Sequence, residues 1–142
     1  GRSITIIPTP GHQDEAIAVY DAQTKWLLTG DTFYPGYVYV KDWDAYKSSI
    51  ARLASFSNSH VVSAILGAHI ERKSRAGEYY EIGTIYQPQE SSLVLMPSDL
   101  IALNEKLKET GTAEKISQNG LTVEPLGFLP KLISNVVGWF IG

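Results

Sequence analysis

Hydrophobic positions along this chain follow two periods, and polar or Gly/Pro stretches separate them. Ile4-Thr5-Ile6-Ile7 is apolar and β-branched, and Pro8 and Pro10 stop it, so it reads as a short strand. Ala16–Asp21 alternates around Ile17 and Val19 and reads as a second strand. After the polar turn Asp21-Ala22-Gln23-Thr24, the run Lys25-Trp26-Leu27-Leu28-Thr29 predicts a third strand, closed by Gly30 and joined to the second as a hairpin or meander. Tyr34–Tyr39 is aromatic and broken by Pro35 and Gly36, which predicts a loop. The period then lengthens. From a cap at Asp42 or Asp44, Tyr46, Ile50, Leu53 and Ala54 recur at helical spacing, predicting a helix through Phe56 that Ser57-Asn58-Ser59 ends. Val61–Leu66 is again an apolar strand-like run, leaving through Gly67-Ala68-His69.

The second half is patterned less regularly. Glu71–Glu78 carries charges and Gly77 and reads as a surface loop, and Tyr79–Gln89 as an extended stretch. Leu93–Met96 is a short strand or a helix lead-in. Pro97-Ser98-Asp99 then opens a helix with Leu100, Leu103 and Leu107 on one face and Gly111 at its end. Ile116–Leu126 predicts a hairpin around Asn119-Gly120, a favoured tight-turn pair. Leu129, Leu132, Ile133, Val136, Val137 and Phe140 form one helical stripe, so residues 128–142 read as an amphipathic tail. Strands and helices alternate, which points to α/β or layered α+β architecture in a single domain over 1–142. Gly1 opens almost directly onto a strand and the chain closes inside an apolar pattern, so both ends are expected to be cuts within a larger fold.

Composition narrows the function classes. A net charge of −3 lacks the basic footprint of a nucleic-acid binder. No apolar stretch reaches the ~18–20 residues of a membrane span. Cysteine is absent, so any metal must sit on His, Asp, Glu or backbone oxygen.

The chain has 3 histidines, and two share a local design. His12 follows Thr9-Pro10-Gly11 at one strand exit, and His69 follows Leu66-Gly67-Ala68 at another. Between them Asp31 follows Leu28-Thr29-Gly30 at a third. Neighbouring strands lie ~5 Å apart, so ligands at their ends can converge on one cation. A carboxylate has two oxygens and can touch two metals at the ~3.5–4 Å spacing of binuclear hydrolases. His60, in a polar run after Ser57-Asn58-Ser59, is expected to be a surface or helix-end residue instead. The aromatic residues Phe33, Tyr34, Tyr37, Tyr39 and Trp43 follow Asp31 closely and could wall a substrate pocket, while about half of them are expected to pack the core.

Taken in order, Thr9-Pro10-Gly11-His12, Ala18-Val19-Tyr20-Asp21, Leu28-Thr29-Gly30-Asp31-Thr32-Phe33 and Gly67-Ala68-His69 resemble the metallo-β-lactamase superfamily. The resemblance covers Ile4 to Ile70 well and the rest loosely. It implies the C-terminal half of an αββα sandwich, with His12 and His69 each on one metal and Asp31 bridging both. The implied cofactor is zinc in a two-metal site, with iron or manganese equally suited to the donors. The family's upstream HxHxDH motif is absent, and Gln13-Asp14-Glu15-Ala16 replaces the usual Thr and Gly at the rim. Each metal would then have about two protein ligands here, against the three plus water of a catalytic zinc site. The implied activity is metal-dependent hydrolysis of a small molecule carrying an ester, thioester, lactam or related bond, and the isolated chain is expected to be inactive. No residue beyond the ligands is singled out as catalytic; Glu71, two residues past His69, is at most an outer neighbour of the site. The rival reading is a non-catalytic fragment or interaction module. Either way a half-sandwich exposes an apolar face, so the expected partner is the missing N-terminal half or a second copy of the chain.

Overall fold

Proline, glycine and polar turns cut the chain into the elements β1 (Ile4–Pro8), β2 (Ile17–Asp21), β3 (Trp26–Gly30), β4 (Tyr37–Val40), α1 (Trp43–Ser59), β5 (Ala64–Gly67), β6 (Val94–Leu95), α2 (Pro97–Glu109), β7 (Ile116–Gln118) and β8 (Leu121–Pro125). This is a computed structural model, and it describes residues 1–75, 77–81, 83–118 and 120–127. The tail expected over 128–142, and Asn119 of the expected Asn-Gly turn, lie outside the described residues.

The first three strands form an antiparallel meander, and its turn is tied by one carboxylate. Asp21 accepts the Gln23 N–H at 3.0 Å and the Thr24 hydroxyl at 2.8 Å, while the Arg2 guanidinium closes on both of its oxygens. That pairing holds the Asp21 carboxyl well below the usual carboxylate range. β5 joins β3 in parallel and β6 closes the edge, giving a 5-stranded sheet in the order β1-β2-β3-β5-β6. A second, 3-stranded sheet has the order β4-β8-β7.

The strand β4 replaces the loop expected over Tyr34–Tyr39. Tyr37-Val38-Tyr39-Val40 alternates with period 2, and both valines are buried. Its partner is β8, far along the chain, so only the tertiary fold reveals the pairing. β5 is shorter than the run Val61–Leu66, because pairing with β3 begins only at Ala64 opposite Trp26. α1 starts at the Asp42 cap, whose carboxylate accepts the Ala45 N–H at 3.0 Å. It continues past Phe56 to Ser59. The hydroxyls of Ser57 and Ser59 donate back to the carbonyls of Ala54 and Phe56 at 2.8 and 3.1 Å, the local bonding by which serines mark a helix end. At the start of α2, Asp99 accepts the Met96 N–H at 2.8 Å.

α1 and α2 pack together on one side of the large sheet. Tyr46, Ile50 and Leu53 of α1 and Leu100, Leu103 and Leu107 of α2 join Ala18, Tyr20, Leu27, Ile65 and Leu95 in one buried cluster. The opposite face is apolar too. Register places Ile6, Val19, Leu28, Leu66 and Val94 in one row across all 5 strands, and Ile6 keeps 63% of its surface exposed. The architecture is therefore a mixed α+β partial sandwich with helices on one face of the large sheet, as expected. Among the described residues no helix is long and apolar enough to cross a membrane.

Candidate metal centre

The direction of the strands decides where the three candidate ligands meet. β1 and β3 both run antiparallel to β2, and β5 runs parallel to β3. Their C-terminal ends therefore open on one edge of the sheet, the edge where ligands gather in sheets with parallel strands. His12, Asp31 and His69 each leave by one of those ends.

Backbone and hydroxyl contacts tie the three exits together. The Thr32 hydroxyl lies 3.1 Å from the Thr9 hydroxyl, linking the first exit to the second. The Ala68 N–H donates to the Gly30 carbonyl at 2.9 Å, linking the second to the third. Helix α1 clamps the first loop, with the Ser49 hydroxyl on the Pro10 carbonyl at 2.7 Å. Two glycines are required by space. A Cβ on Gly11, at φ +141°, would stand 2.6 Å from the Tyr46 Cα, and one on Gly67 would stand 2.8 Å from the Phe33 carbonyl oxygen.

The side chains then converge on Asp31. His69 Nε2 lies 2.8 Å from Asp31 Oδ1, and His12 Nε2 lies 4.0 Å from Asp31 Oδ2. The other nitrogen of His12 is anchored, with Nδ1 2.6 Å from the Tyr39 carbonyl. A carbonyl only accepts, so Nδ1 is the donor in that contact and Nε2 is the nitrogen that faces the carboxylate. The His69 ring rests against the Tyr34 ring, 5.3 Å between centroids. Tyr34 donates its hydroxyl to the Tyr37 carbonyl, and burial, helped by the Glu71 and Asp31 charges, pushes its pKa up, so it stays protonated. Asp31 Oδ1 is buried and receives no hydrogen bond, although His69 Nε2 is so near. At 2.8 Å the imidazole nitrogen and the carboxylate oxygen stand at ion-pair distance, and are also near enough for one cation to touch both at ~2.0–2.1 Å.

The donor set fits a divalent cation in chemistry and falls short of one in number. Among the described residues no group of three or more His, Cys, Asp or Glu side chains is arranged to hold a metal ion. The two imidazoles approach different oxygens of Asp31, so the geometry is two adjoining pairs sharing one carboxylate, not one cage of three.

A cleft of about 560 Å³ opens beside His12 and Asp31, with Asp14, Glu15 and Ile17 on its walls. None of the aromatics expected to wall a pocket lines it. Phe33 has no exposed surface and packs the core, and Tyr34 is nearly as enclosed. Trp43 is half-buried in the first turn of α1. Tyr37 lines a separate cavity on the smaller sheet. The rim is instead the segment Gln13–Ala16, whose side chains line the cleft beside His12. The Tyr39 anchor was not readable, because it is a backbone carbonyl. Glu71 is a clamp, accepting the Tyr37 N–H at 3.0 Å. His60 caps the C-terminus of α1 and stacks on Phe56 at 3.9 Å, away from the site, as expected.

No protein-family model matches the sequence, and no curated protein matches it. Among solved structures, an archaeal metallo-β-lactamase superfamily protein from Sulfolobus tokodaii is similar to the chain, with a TM-score of 0.48 and 15% identity. The alignment takes in 95% of this chain and 42% of that one, so the chain spans less than half of that neighbour's length.

Proposed function

We propose that the chain is the second half of a metallo-β-lactamase-type hydrolase site, with His12 and Asp31 holding one cation and Asp31 and His69 the other. The observation that carries this reading is the pair of contacts to opposite oxygens of one carboxylate, with Oδ1 buried and left without a hydrogen bond. The Tyr39 anchor on His12 supports it, because ligating histidines characteristically spend their second nitrogen this way. Zinc is the cation we favour, with iron or manganese suited to the same donors. Bound there, the metal pair would supply Lewis-acid activation, lowering the pKa of water from 15.7 toward ~7. The chain's own part is to fix the ligands, and the cleft walled by Asp14, Glu15 and Ile17 is where a small ester, thioester, lactam or related substrate would enter.

The remaining ligands are proposed to come from an N-terminal half that packs on the row Ile6, Val19, Leu28, Leu66 and Val94, of which Ile6, Leu28 and Val94 are exposed. The uncovered apolar sheet and the under-supplied cations call for the same partner. A second copy of the chain is the other outcome to be distinguished. The rival reading, a non-catalytic interaction module, draws on the same shortage of ligands.

The test is metal content and hydrolysis, measured on this chain and on the chain extended upstream of Gly1. The reading predicts weak zinc binding and no turnover for the chain, and tight zinc with turnover for the extended protein. If neither holds zinc, manganese or iron, and His12→Ala changes nothing, the hydrolase reading fails and the interaction module stands.

A further inference from the structure

The two histidines at the sheet edge are held in different ways. His12 spends its Nδ1 on the Tyr39 carbonyl, and its side chain keeps only 19% of its surface exposed. The His69 side chain is 52% exposed, and among the described residues no hydrogen bond takes up its Nδ1. The χ2 torsion of an imidazole is broad and roughly two-fold, so an exposed ring swings away from the site unless something else fixes it. The backbone around His69 is fixed. The Ala68 N–H donates to the Gly30 carbonyl and the Glu71 N–H to the Pro35 carbonyl, both at 2.9 Å. Among the described residues the His69 ring meets one other aromatic ring, that of Tyr34, with the planes tilted by 52°.

Tyr34 does not depend on His69 for its own place. Just before it, the Phe33 carbonyl accepts the Thr29 hydroxyl at 2.5 Å, which ties the loop to β3. Its hydroxyl donates to the Tyr37 carbonyl, while the Glu71 carboxylate accepts the Tyr37 N–H, so β4 starts with both backbone groups gripped. Two glycines close on Tyr34. A Cβ on Gly67 would stand 2.9 Å from the Tyr34 Cα, and one on Gly36 would stand 2.6 Å from its Cε2. Only 4% of the residue is exposed. A ring so enclosed is a rigid plate, and the 5.3 Å between centroids lies within the ~4.5–7 Å of paired aromatic rings.

We propose that Tyr34 is the positioning residue of His69, giving it by ring packing the fixed orientation that Tyr39 gives His12 by a hydrogen bond. Ring and carboxylate divide the task. The Tyr34 contact restricts the tilt of the imidazole but does not choose between its two flipped states, which exchange Nε2 with Cε1. Asp31 Oδ1, 2.8 Å from Nε2, makes that choice. The use of this orientation for a cation rests on the hydrolase reading; the orientation itself does not.

The test begins with NMR on the metal-free chain. The carbon-bound imidazole protons of His69, assigned by their loss in His69→Gln, should show cross-peaks to the Tyr34 ring and shifts displaced from those of an unstructured histidine. Tyr34→Phe should keep both signatures, and Tyr34→Leu should lose them. The second part titrates zinc against a chromophoric chelator in the upstream-extended protein. Tyr34→Leu should weaken one zinc by about tenfold or more and leave the other, at His12, unchanged, and Tyr34→Phe should hold both as the parent does. A merely structural role for Tyr34 would weaken the two together. The proposal is overturned by averaged His69 signals without Tyr34 cross-peaks, by a Tyr34→Phe that loses them, or by a Tyr34→Leu that weakens both zincs equally or neither. If the extended protein binds no zinc, the hydrolase reading fails and the NMR alone decides the positioning. The wild-type and Tyr34→Phe spectra also decide it if Tyr34→Leu does not fold.

Discussion

The two faces of the 5-stranded sheet are built from the same strands and nearly the same residue types, yet among the described residues helices cover only one. Inside, Ala18, Tyr20, Leu27, Ile65 and Leu95 lie against α1 and α2 and are buried. Outside, Ile6, Ile17, Trp26, Leu28 and Val94 remain exposed to 40–63% of their surface. A sheet that faces water on one side alternates apolar with polar residues, whereas one covered on both sides is apolar throughout. These strands have the second composition in the first situation. The proposed site shows the same shortage at the sheet edge, where each Asp31–His pair would offer a cation two ligands. The proposed second layer would cover the face and complete the site together.

Substitutions at matched positions sharpen that contrast. Leu27→Ala, on the covered face, should cost about 2–5 kcal/mol in denaturant unfolding, because it leaves a cavity among buried neighbours. Gly67→Ala comes next, at about 1–3 kcal/mol, since the added carbon collides with Tyr34 and Phe33 backbone atoms under the exit to His69. Asp21→Asn tests the turn that joins β2 to β3. The Asp21 pKa is depressed in the folded chain, so its contribution is present above the unfolded value of about 3.9 and is lost as pH falls below it. The melting temperature of D21N should therefore lie below that of the parent at pH 7, and the gap should close on acidification; a gap that widens toward low pH would refute the assignment. Leu28→Lys, on the uncovered face, should change the unfolding free energy of the chain by less than about 1 kcal/mol. It should nonetheless abolish association measured by light scattering. A large loss of stability without association would mean the outer face is already covered.

Much of this was legible from local pattern. The period-2 runs of β1 to β3, the helical spacing of Tyr46, Ile50 and Leu53, and the hairpin before Leu126 depend on near neighbours, and each formed within three residues of expectation. β4 did not, because Pro35 and Gly36 argue for a loop and the partner strand β8 is remote in sequence. The signal was the alternation of Tyr37-Val38-Tyr39-Val40 itself. At the site, the three proposed ligands stood out because each follows a strand through a glycine, and the strand directions bring them to one sheet edge. The Tyr39 carbonyl and the Glu71 clamp were not, since each joins segments that only the tertiary fold brings together.

The central claim is that Asp31 serves two cations and each histidine one, and metal stoichiometry by mass spectrometry on the upstream-extended protein tests it most directly. The account predicts that His12→Ala loses one zinc, His69→Ala loses the other, and Asp31→Ala loses both. Retention of full zinc by Asp31→Ala, or loss of the same single zinc in all three variants, would contradict it.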